Sequence, residues 1–260
     1  NKALQHRGPD DSGSWFGGHV ALAMRRLSVI DLFRGKQPFA NEEESIVLVY
    51  NGEIYNYREL RHDLEQRGHV FRTLSDTEVV LRAYEEHGDD ALLRLNGMFA
   101  FALYDARHDR VLIARDRAGI KPLFYACHEG TLIFASELDA VLRSGLVRGA
   151  LNPSAMEAYF SFLYVPSPDT IYRDVQKLMP AHKLVFQRGD LRVERYWNLE
   201  IEPDPKWTVP AAAERYTELL STAVKSQCVS EVPLGAFLGG GIDSCSVVAM
   251  MHITSAAPVK

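Results

Sequence analysis

The stretch VPLGAFLGGGIDS at residues 232–244 constrains the chain most. Residues 232–238 are apolar except for Gly235, which predicts a buried strand. Gly239, Gly240 and Gly241 follow, then Asp243 and Ser244, and residues 246–251 (SVVAMM) predict a helix. A strand, a glycine turn and a helix aim backbone N–H groups and a positive helix end at an anion. Glycine lets the backbone approach a phosphate with no Cβ in the way. Ser244 can add a hydroxyl donor. The Asp243 carboxylate would repel a phosphate, so its place is on a metal or as a brace of the loop. The same pattern also serves as a plain strand-to-helix turn with no ligand.

The pattern is neither G-x-x-x-x-G-K-[ST] nor G-x-G-x-x-G. It resembles the S-G-G-x-D-S pyrophosphate loop of ATP-pyrophosphatase-type enzymes, which cleave ATP between the α and β phosphates and adenylate a carboxylate or carbonyl. That resemblance implies that Leu238, Gly239, Gly240, Gly241, Asp243 and Ser244 hold ATP. Gly239 stands where those enzymes have serine, which removes one hydroxyl contact, about 1–3 kcal/mol for a bond to a charged group.

With 260 residues there is room for one large domain or two. A net charge of −5 without like-charge blocks does not favour nucleic acid or an acidic membrane surface. No apolar run is long enough to span a bilayer. Cys127, Cys228 and Cys245 are scattered and odd in number, which suggests a reducing, cytoplasmic setting and neither a disulfide framework nor a metal site. Cys245 sits near a predicted helix start, which favours a thiolate. No His or acid lies beside it as a base, so it is not read as a nucleophile. Both ends are expected to be cut. Asn1 opens no signal peptide and is not an initiator Met, and Lys260 comes just after the helix that the glycine loop introduces.

Before residue 200 the pattern is one of short strands: 20–24, 45–50, 99–104, 111–114, 123–126, 132–135 and 183–186. Short polar links at 105–110 and 128–130 predict an antiparallel meander. Several strands are apolar on both faces, which predicts layers on both sides. Helices are expected at 55–66, at 79–87 behind a Ser75-Asp76-Thr77-Glu78 capping box, at 137–143, and from Asn152-Pro153 to about 163. The proline-rich stretch 201–205 marks the boundary between a domain at 1–200 and a second at 201–260, and 211–226 predicts a long amphipathic helix.

Four polar clusters sit in apolar surroundings: His6-Arg7-Gly8-Pro9-Asp10-Asp11, Arg25-Arg26-Leu27-Ser28, Tyr50-Asn51-Gly52-Glu53-Ile54-Tyr55-Asn56, and Leu74-Ser75-Asp76-Thr77-Glu78. Asn51 and Gly52 follow a predicted buried strand, where a side-chain amide and a backbone N–H can form an oxyanion hole. Asn-Gly is equally a hairpin turn. Arg26 can take a carboxylate bidentately or be a surface arginine. Asp76 can hold an ammonium group or complement a helix dipole. Together, these groups describe a site for a free α-amino acid whose side-chain carbonyl is attacked.

These motifs resemble the class II glutamine amidotransferase domain of the glutamine-hydrolysing asparagine synthetase family. So do Asn96-Gly97-Met98-Phe99, Arg115-Asp116-Arg117-Ala118-Gly119-Ile120-Lys121-Pro122, Phe134-Ala135-Ser136-Glu137 and the glycine loop. The resemblance implies an α+β fold: an N-terminal-nucleophile αββα sandwich, then the start of an α/β domain of the adenine-nucleotide α-hydrolase type. It implies that Arg26 binds the glutamine carboxylate and Asp76 its ammonium, that Asn51 and Gly52 form the oxyanion hole, and that Glu53 lies nearby. The nucleophile would be a cysteine carried upstream of the His6-Arg7 motif. Arg115, Asp116, Arg117 and Lys121 are read as a salt-bridge network bracing the sheet. ATP and Mg2+ are implied as cofactors, glutamine and an acceptor carboxylate such as aspartate as substrates, and a homodimer stays open. Two other readings remain. Residues 159–172 resemble family members tied to bacterial exopolysaccharide or cell-surface systems, with another acceptor. Gly239 is compatible with a degenerate module that only binds glutamine or nucleotide.

Overall fold

Residues 46–54 and 97–105 hold alternating and continuous Val, Ile, Leu, Phe and Tyr, which suit a pleated surface covered on both sides. In the computed structural model, which describes residues 1–254, they pair as the centre of a six-stranded antiparallel sheet. The chain divides into two compact units, Asn1–Asn198 and Leu199–Lys260.

In the first unit, β1 (Asp11–Gly17) and β2 (Val20–Arg26) form a two-stranded ribbon. The short β3 (Phe39–Ala40) precedes β4 (Ile46–Ile54). Then come α1 (Tyr57–Gln66), α2 (Asp76–His87) and α3 (Ala91–Arg94). The hairpin of β5 (Gly97–Asp105) and β6 (Arg110–Arg115) leads to a second hairpin of β7 (Phe124–His128) and β8 (Thr131–Ala135). After α4 (Leu138–Leu142) and α5 (Pro153–Phe162) come β9 (Gln176–Lys177), β10 (His182–Gln187) and β11 (Asp190–Arg195). The large sheet runs β11-β10-β6-β5-β4-β3, and a smaller one runs β8-β7-β9.

One core lies between the large sheet and the β1–β2 and β7–β8 strands. Val49, Ala100, Ala102 and Ile113 face Leu22, Leu123 and Tyr125, with Trp15 and Phe134 packed against them. On the outer side of the small sheet, Val141 and Leu138 of α4 pack with Ala126 and Val175. On the other face of the large sheet, α2 buries Val79, Val80 and Ala83. Helix, sheet, sheet, helix is the expected αββα layering.

Ser75 caps α2 by accepting from Thr77 N at 3.2 Å. Glu78 does not complete the expected capping box. Its buried carboxylate accepts instead from the N–H groups of the adjacent Arg72 and Thr73, in the segment that turns before the helix. Asn152 precedes α5 without a side-chain cap, and Leu163 closes that helix in the left-handed region at φ 62°.

The second unit contains α6 (Val209–Gln227), capped by Thr208, and α7 (Ile242–Thr254). Residues 232–238 form no strand, contrary to expectation, and Leu234, Phe237 and Leu238 are exposed. A strand exists only by its ladder, and no described residue pairs with this stretch. Residues 255–260, on which the expectation about the chain's end falls, lie outside the described residues.

Candidate active site

A cavity of about 230 Å³ opens at the end of the large sheet and gathers Arg26, Asn51, Gly52, Glu53 and Asp76. It thus unites three clusters separated in sequence and takes in Arg7 of the fourth.

Asn51 and Gly52 lie inside β4, opposite Ala100 and Phe99, neither at a strand end nor in a hairpin turn. The ladder fixes which way their N–H groups point. Phe99 exchanges both its N–H and its C=O with Asp116, away from β4. Gly52 and Phe99 are therefore a non-hydrogen-bonded pair, and by alternation the N–H groups of Tyr50, Gly52 and Ile54 turn to the other edge of β4. Tyr50 N donates there to Gln37 Oε1 at 2.7 Å, and Ile54 N to Asp76 Oδ2 at 3.0 Å. The Gly52 N–H lies between them, on the cavity side. Glycine is required at 52 because a Cβ would stand 2.2 Å from Met98 O and 2.7 Å from Phe99 Cα.

Asp76, the first residue of α2, is buried. Its Oδ2 also accepts from the Tyr50 hydroxyl at 2.7 Å. Burial raises its carboxyl above the usual range, against the pull of these donors. Burial and the Asp76 charge lift Tyr50 well above the ordinary phenol. Glu53 shares the cavity, and its Oε1 is buried with no hydrogen-bond partner. Burial, and after it the neighbouring Asp76, push its carboxyl up to about 7, while Lys121 pulls it the other way.

Arg26 is buried and uses Nη2 to hold the carbonyls of Ile30 at 2.6 Å and Asp31 at 3.0 Å. It is not the surface arginine that sequence allowed. Asp31 carries this loop onward by accepting from Leu74 N at 2.8 Å, just ahead of α2. His6 and Arg7 reach Glu137 at 2.9 and 3.4 Å, and Gly8 packs on the Arg25 and Arg26 backbone so closely that a Cβ would sit 2.3 Å from Arg25 C.

The Arg115–Lys121 segment is not a salt-bridge network. Asp116 is buried and accepts only from backbone N–H groups, those of Phe99, Ala118, Ile120 and Lys121. Arg115 donates only to the carbonyls of Gly119, Lys121 and Leu178. The sequence reading missed Gln37, Tyr50 and Lys121 as cavity residues. Tyr50 stood within a recognised motif, but its phenol's reach to Asp76 depends on how α2 docks.

None of Cys127, Cys228 and Cys245 lines this cavity. A groove of about 370 Å³ adjoins it, sharing Leu4 and Ser136. The groove is walled by Ala21 and Ala23 of β2 and by Thr131–Ala135 of β8, with Val49, Ala100 and Ala102 as floor. β2 pairs only with β1, and β8 only with β7, among the described residues. Both strands run toward the cavity, β2 ending at Arg26 and β8 just before Ser136.

In the second unit, Leu238, Gly239, Gly240 and Gly241 form an exposed turn, with Gly240 at φ 75°. Asp243 and Ser244 lie in the first turn of α7, which begins earlier than the sequence suggested. Ser244 Oγ donates to Gly241 O at 3.1 Å. A Cβ on Gly239 would meet only Ser244 Oγ, at 3.9 Å, so local packing leaves room for a serine there. Exposed glycines at a helix N-terminus fit a phosphate. Among the described residues no group of three His, Cys, Asp or Glu is placed to hold a metal, and no helix is long and apolar enough to cross a membrane.

Comparison with known proteins agrees with this geometry. Residues 1–197 match the glutamine amidotransferase domain family, and residues 215–260 match the asparagine synthase family. The chain is 37% identical over 250 residues to glutamine-hydrolysing asparagine synthetase 3 of Bacillus subtilis (strain 168), covering 95% of this chain and 41% of that protein. It is 36% identical over 275 residues to a putative glutamine-hydrolysing asparagine synthetase 2 of Methanocaldococcus jannaschii, covering 97% and 53%. The chain thus spans about half or less of the curated relatives it matches. Among solved structures, glutamine phosphoribosylpyrophosphate amidotransferase from B. subtilis, complexed with ADP and GMP, aligns with TM-score 0.51 at 18% identity, over 92% of this chain and 50% of that one. That likeness speaks to the fold, an N-terminal-nucleophile amidotransferase sandwich. By these matches the chain belongs to the glutamine amidotransferase domain family, joined to the beginning of an asparagine synthase region.

Proposed function

We propose that this chain is part of an ATP-dependent, glutamine-hydrolysing amide-forming ligase. The observation that carries the reading is the single cavity shared by Arg26, Asn51, Gly52, Glu53 and Asp76. In it, Asp76 and Glu53 take the glutamine ammonium, and the Arg26 region takes its carboxylate. The Gly52 N–H and the Asn51 amide receive the oxyanion formed when a thiolate attacks the side-chain amide carbon. Ammonia leaves, and water then cleaves the thioester to give glutamate.

The thiolate comes from an N-terminal cysteine on an extended segment of the whole protein. The groove between β2 and β8 supports this. A strand lying there antiparallel to both would start at the cavity, because β2 and β8 both run toward it. Its N-terminal residue would then stand over Asn51 and Gly52.

Ammonia next displaces AMP from an adenylated carboxylate, such as that of aspartate. Residues 238–244 would bind the phosphates of ATP: the acceptor carboxylate attacks the α-phosphorus, the AMP moiety is transferred to it, and pyrophosphate leaves. Asp243, in the first turn of α7, would be the carboxylate available to a Mg2+ ion brought in with ATP, which would screen the phosphate charge. A cytoplasmic location and a homodimer belong to the same proposal and rest on family resemblance.

The whole protein, given glutamine, ATP and aspartate, is expected to release AMP and pyrophosphate and form the amide. Release of ADP and phosphate, or amide formation without nucleotide cleavage, would overturn the mechanism.

A further inference from the structure

The 115–121 segment is built as a rigid arch with no assigned task. The Asp116 carboxylate collects the N–H groups of Phe99, Ala118, Ile120 and Lys121 at 2.9–3.2 Å. From the other side Arg115 holds the carbonyls of Lys121 at 2.6 Å, Gly119 at 2.7 Å and Leu178 at 2.6 Å. Gly119 has φ +68°, a left-handed conformation that glycine adopts without strain. Both the N–H and the C=O of Lys121 are therefore fixed, and the residue lines the cavity. Among the described residues its ammonium has no ion-pair or hydrogen-bond partner.

Across the cavity the two carboxylates differ. Asp76 already accepts from Tyr50 and Ile54 through Oδ2, whereas the Oε1 of Glu53 is buried without a partner. Two carboxylates in one desolvated cavity oppose each other's ionisation. We propose that Lys121 is a positioning residue: the arch fixes its backbone at the wall of the cavity, from which its ammonium faces the Glu53 carboxylate and keeps it charged beside Asp76, ready for a ligand ammonium group.

The groups around Glu53 agree. Asp76 on α2 and burial both disfavour its charge, and Lys121 is the cation that favours it. The phenols of Tyr50 and Tyr55 lie close enough to feel Glu53's charge. Lys121 in turn is lowered by burial and by Arg7, and raised by Glu53 and Asp116. Glu53 and Lys121 thus support each other's ionisation, while neither is spent on a hydrogen bond that a ligand would have to break. The role in ligand capture rests on reading the cavity as an α-amino-acid site; the coupling of the two groups does not.

The test is a carbon-detected NMR titration of the 260-residue chain labelled at the Glu carboxyl and Lys ε carbons. One Glu signal should titrate with a midpoint near 7 and vanish in Glu53→Gln. Lys121→Met should raise that midpoint by about half a pH unit or more, and Lys121→Arg should leave it within roughly 0.2 unit. Reciprocally, Glu53→Gln should lower the midpoint of Lys121. A folded Lys121→Met chain with an unmoved Glu53 midpoint would overturn the proposal. Should that variant fail to fold, an unmoved Lys121 midpoint in Glu53→Gln does the same. L-Glutamine is added only afterwards. Chemical shifts at Glu53 that stay unchanged with it would count against the amino-acid reading while leaving the Lys121 coupling standing.

Discussion

Gly52 shows how one residue can be fixed twice, by its neighbour's backbone and by the chemistry it serves. Its missing side chain lets β5 approach to van der Waals distance, and its N–H faces the cavity. Gly52→Ala is expected to destabilise the fold by about 2–3 kcal/mol, since the new methyl meets backbone of a central strand that cannot step aside. Urea unfolding of both chains measures it; a loss well under 1 kcal/mol would mean that β4 and β5 can separate locally. Much of the cavity was legible at this scale. Arg26, Asn51, Gly52, Glu53 and Asp76 all announced themselves as polar groups beside apolar strands, and all line one hollow. What sequence misjudged was their local setting. Asn-Gly reads as a turn because most such pairs are turns, yet here it is held extended by Ala100 and Phe99 on the facing strand. Arg26 reads as free to bind a carboxylate, and only the loop at Ile30 and Asp31 reveals that part of its guanidinium is already engaged.

Elements depend on partners that a local pattern cannot display. β11 carries Asp190, Arg192, Glu194 and Arg195 with only Leu191 and Val193 between them, an alternation too short and too charged to stand out, and it is a strand because β10 offers it a complete ladder. β1 is likewise rich in glycine and serine and pairs along its whole length with β2. The reverse case is 232–238, apolar enough to be a strand and exposed because no described neighbour accepts its hydrogen bonds. The hairpin turns were easier to read, as with Glu129 and Gly130, both at positive φ, where a two-residue link demands that conformation. The 115–121 arch sits between these extremes: its charges were plain, but charges that bond only to backbone cannot be told from charges that bond to each other. Asp116→Ala should therefore cost on the order of 2–4 kcal/mol, because the buried N–H of Phe99 and the half-buried N–H groups of Ala118, Ile120 and Lys121 lose a charged acceptor together. Urea unfolding checks the size. Amide exchange should show Ala118, Ile120 and Lys121 losing protection before the strands do. A variant within about 1 kcal/mol of the parent, with those amides still protected, would show that water replaces the carboxylate adequately.

At the scale of the whole chain, the apolar core is concentrated at one end of the sequence. Every buried hydrophobic residue among the described ones precedes residue 198 except Val224 and Met251. The first unit holds the core clusters around Val49 and around Val141, its sheets and the cavity. Stability follows apolar surface removed from water, so a fragment that keeps nearly all of that burial should keep nearly all of the stability. The segment 199–208 between the last strand and α6 has no regular structure and is exposed, so a protease can bind it in extended form. Limited proteolysis is expected to cut there first and leave a resistant core of residues 1–198. That fragment, made separately, should unfold cooperatively with a midpoint within about 2–4 °C of the 260-residue chain. Residues 199–260 made alone, with two short buried anchors, should show no cooperative transition. The opposite pattern, a first fragment that aggregates or melts without cooperativity, would mean that its core is not self-sufficient. The cavity's geometry would then have to be regarded as a property of the longer protein and not of the 1–198 sandwich.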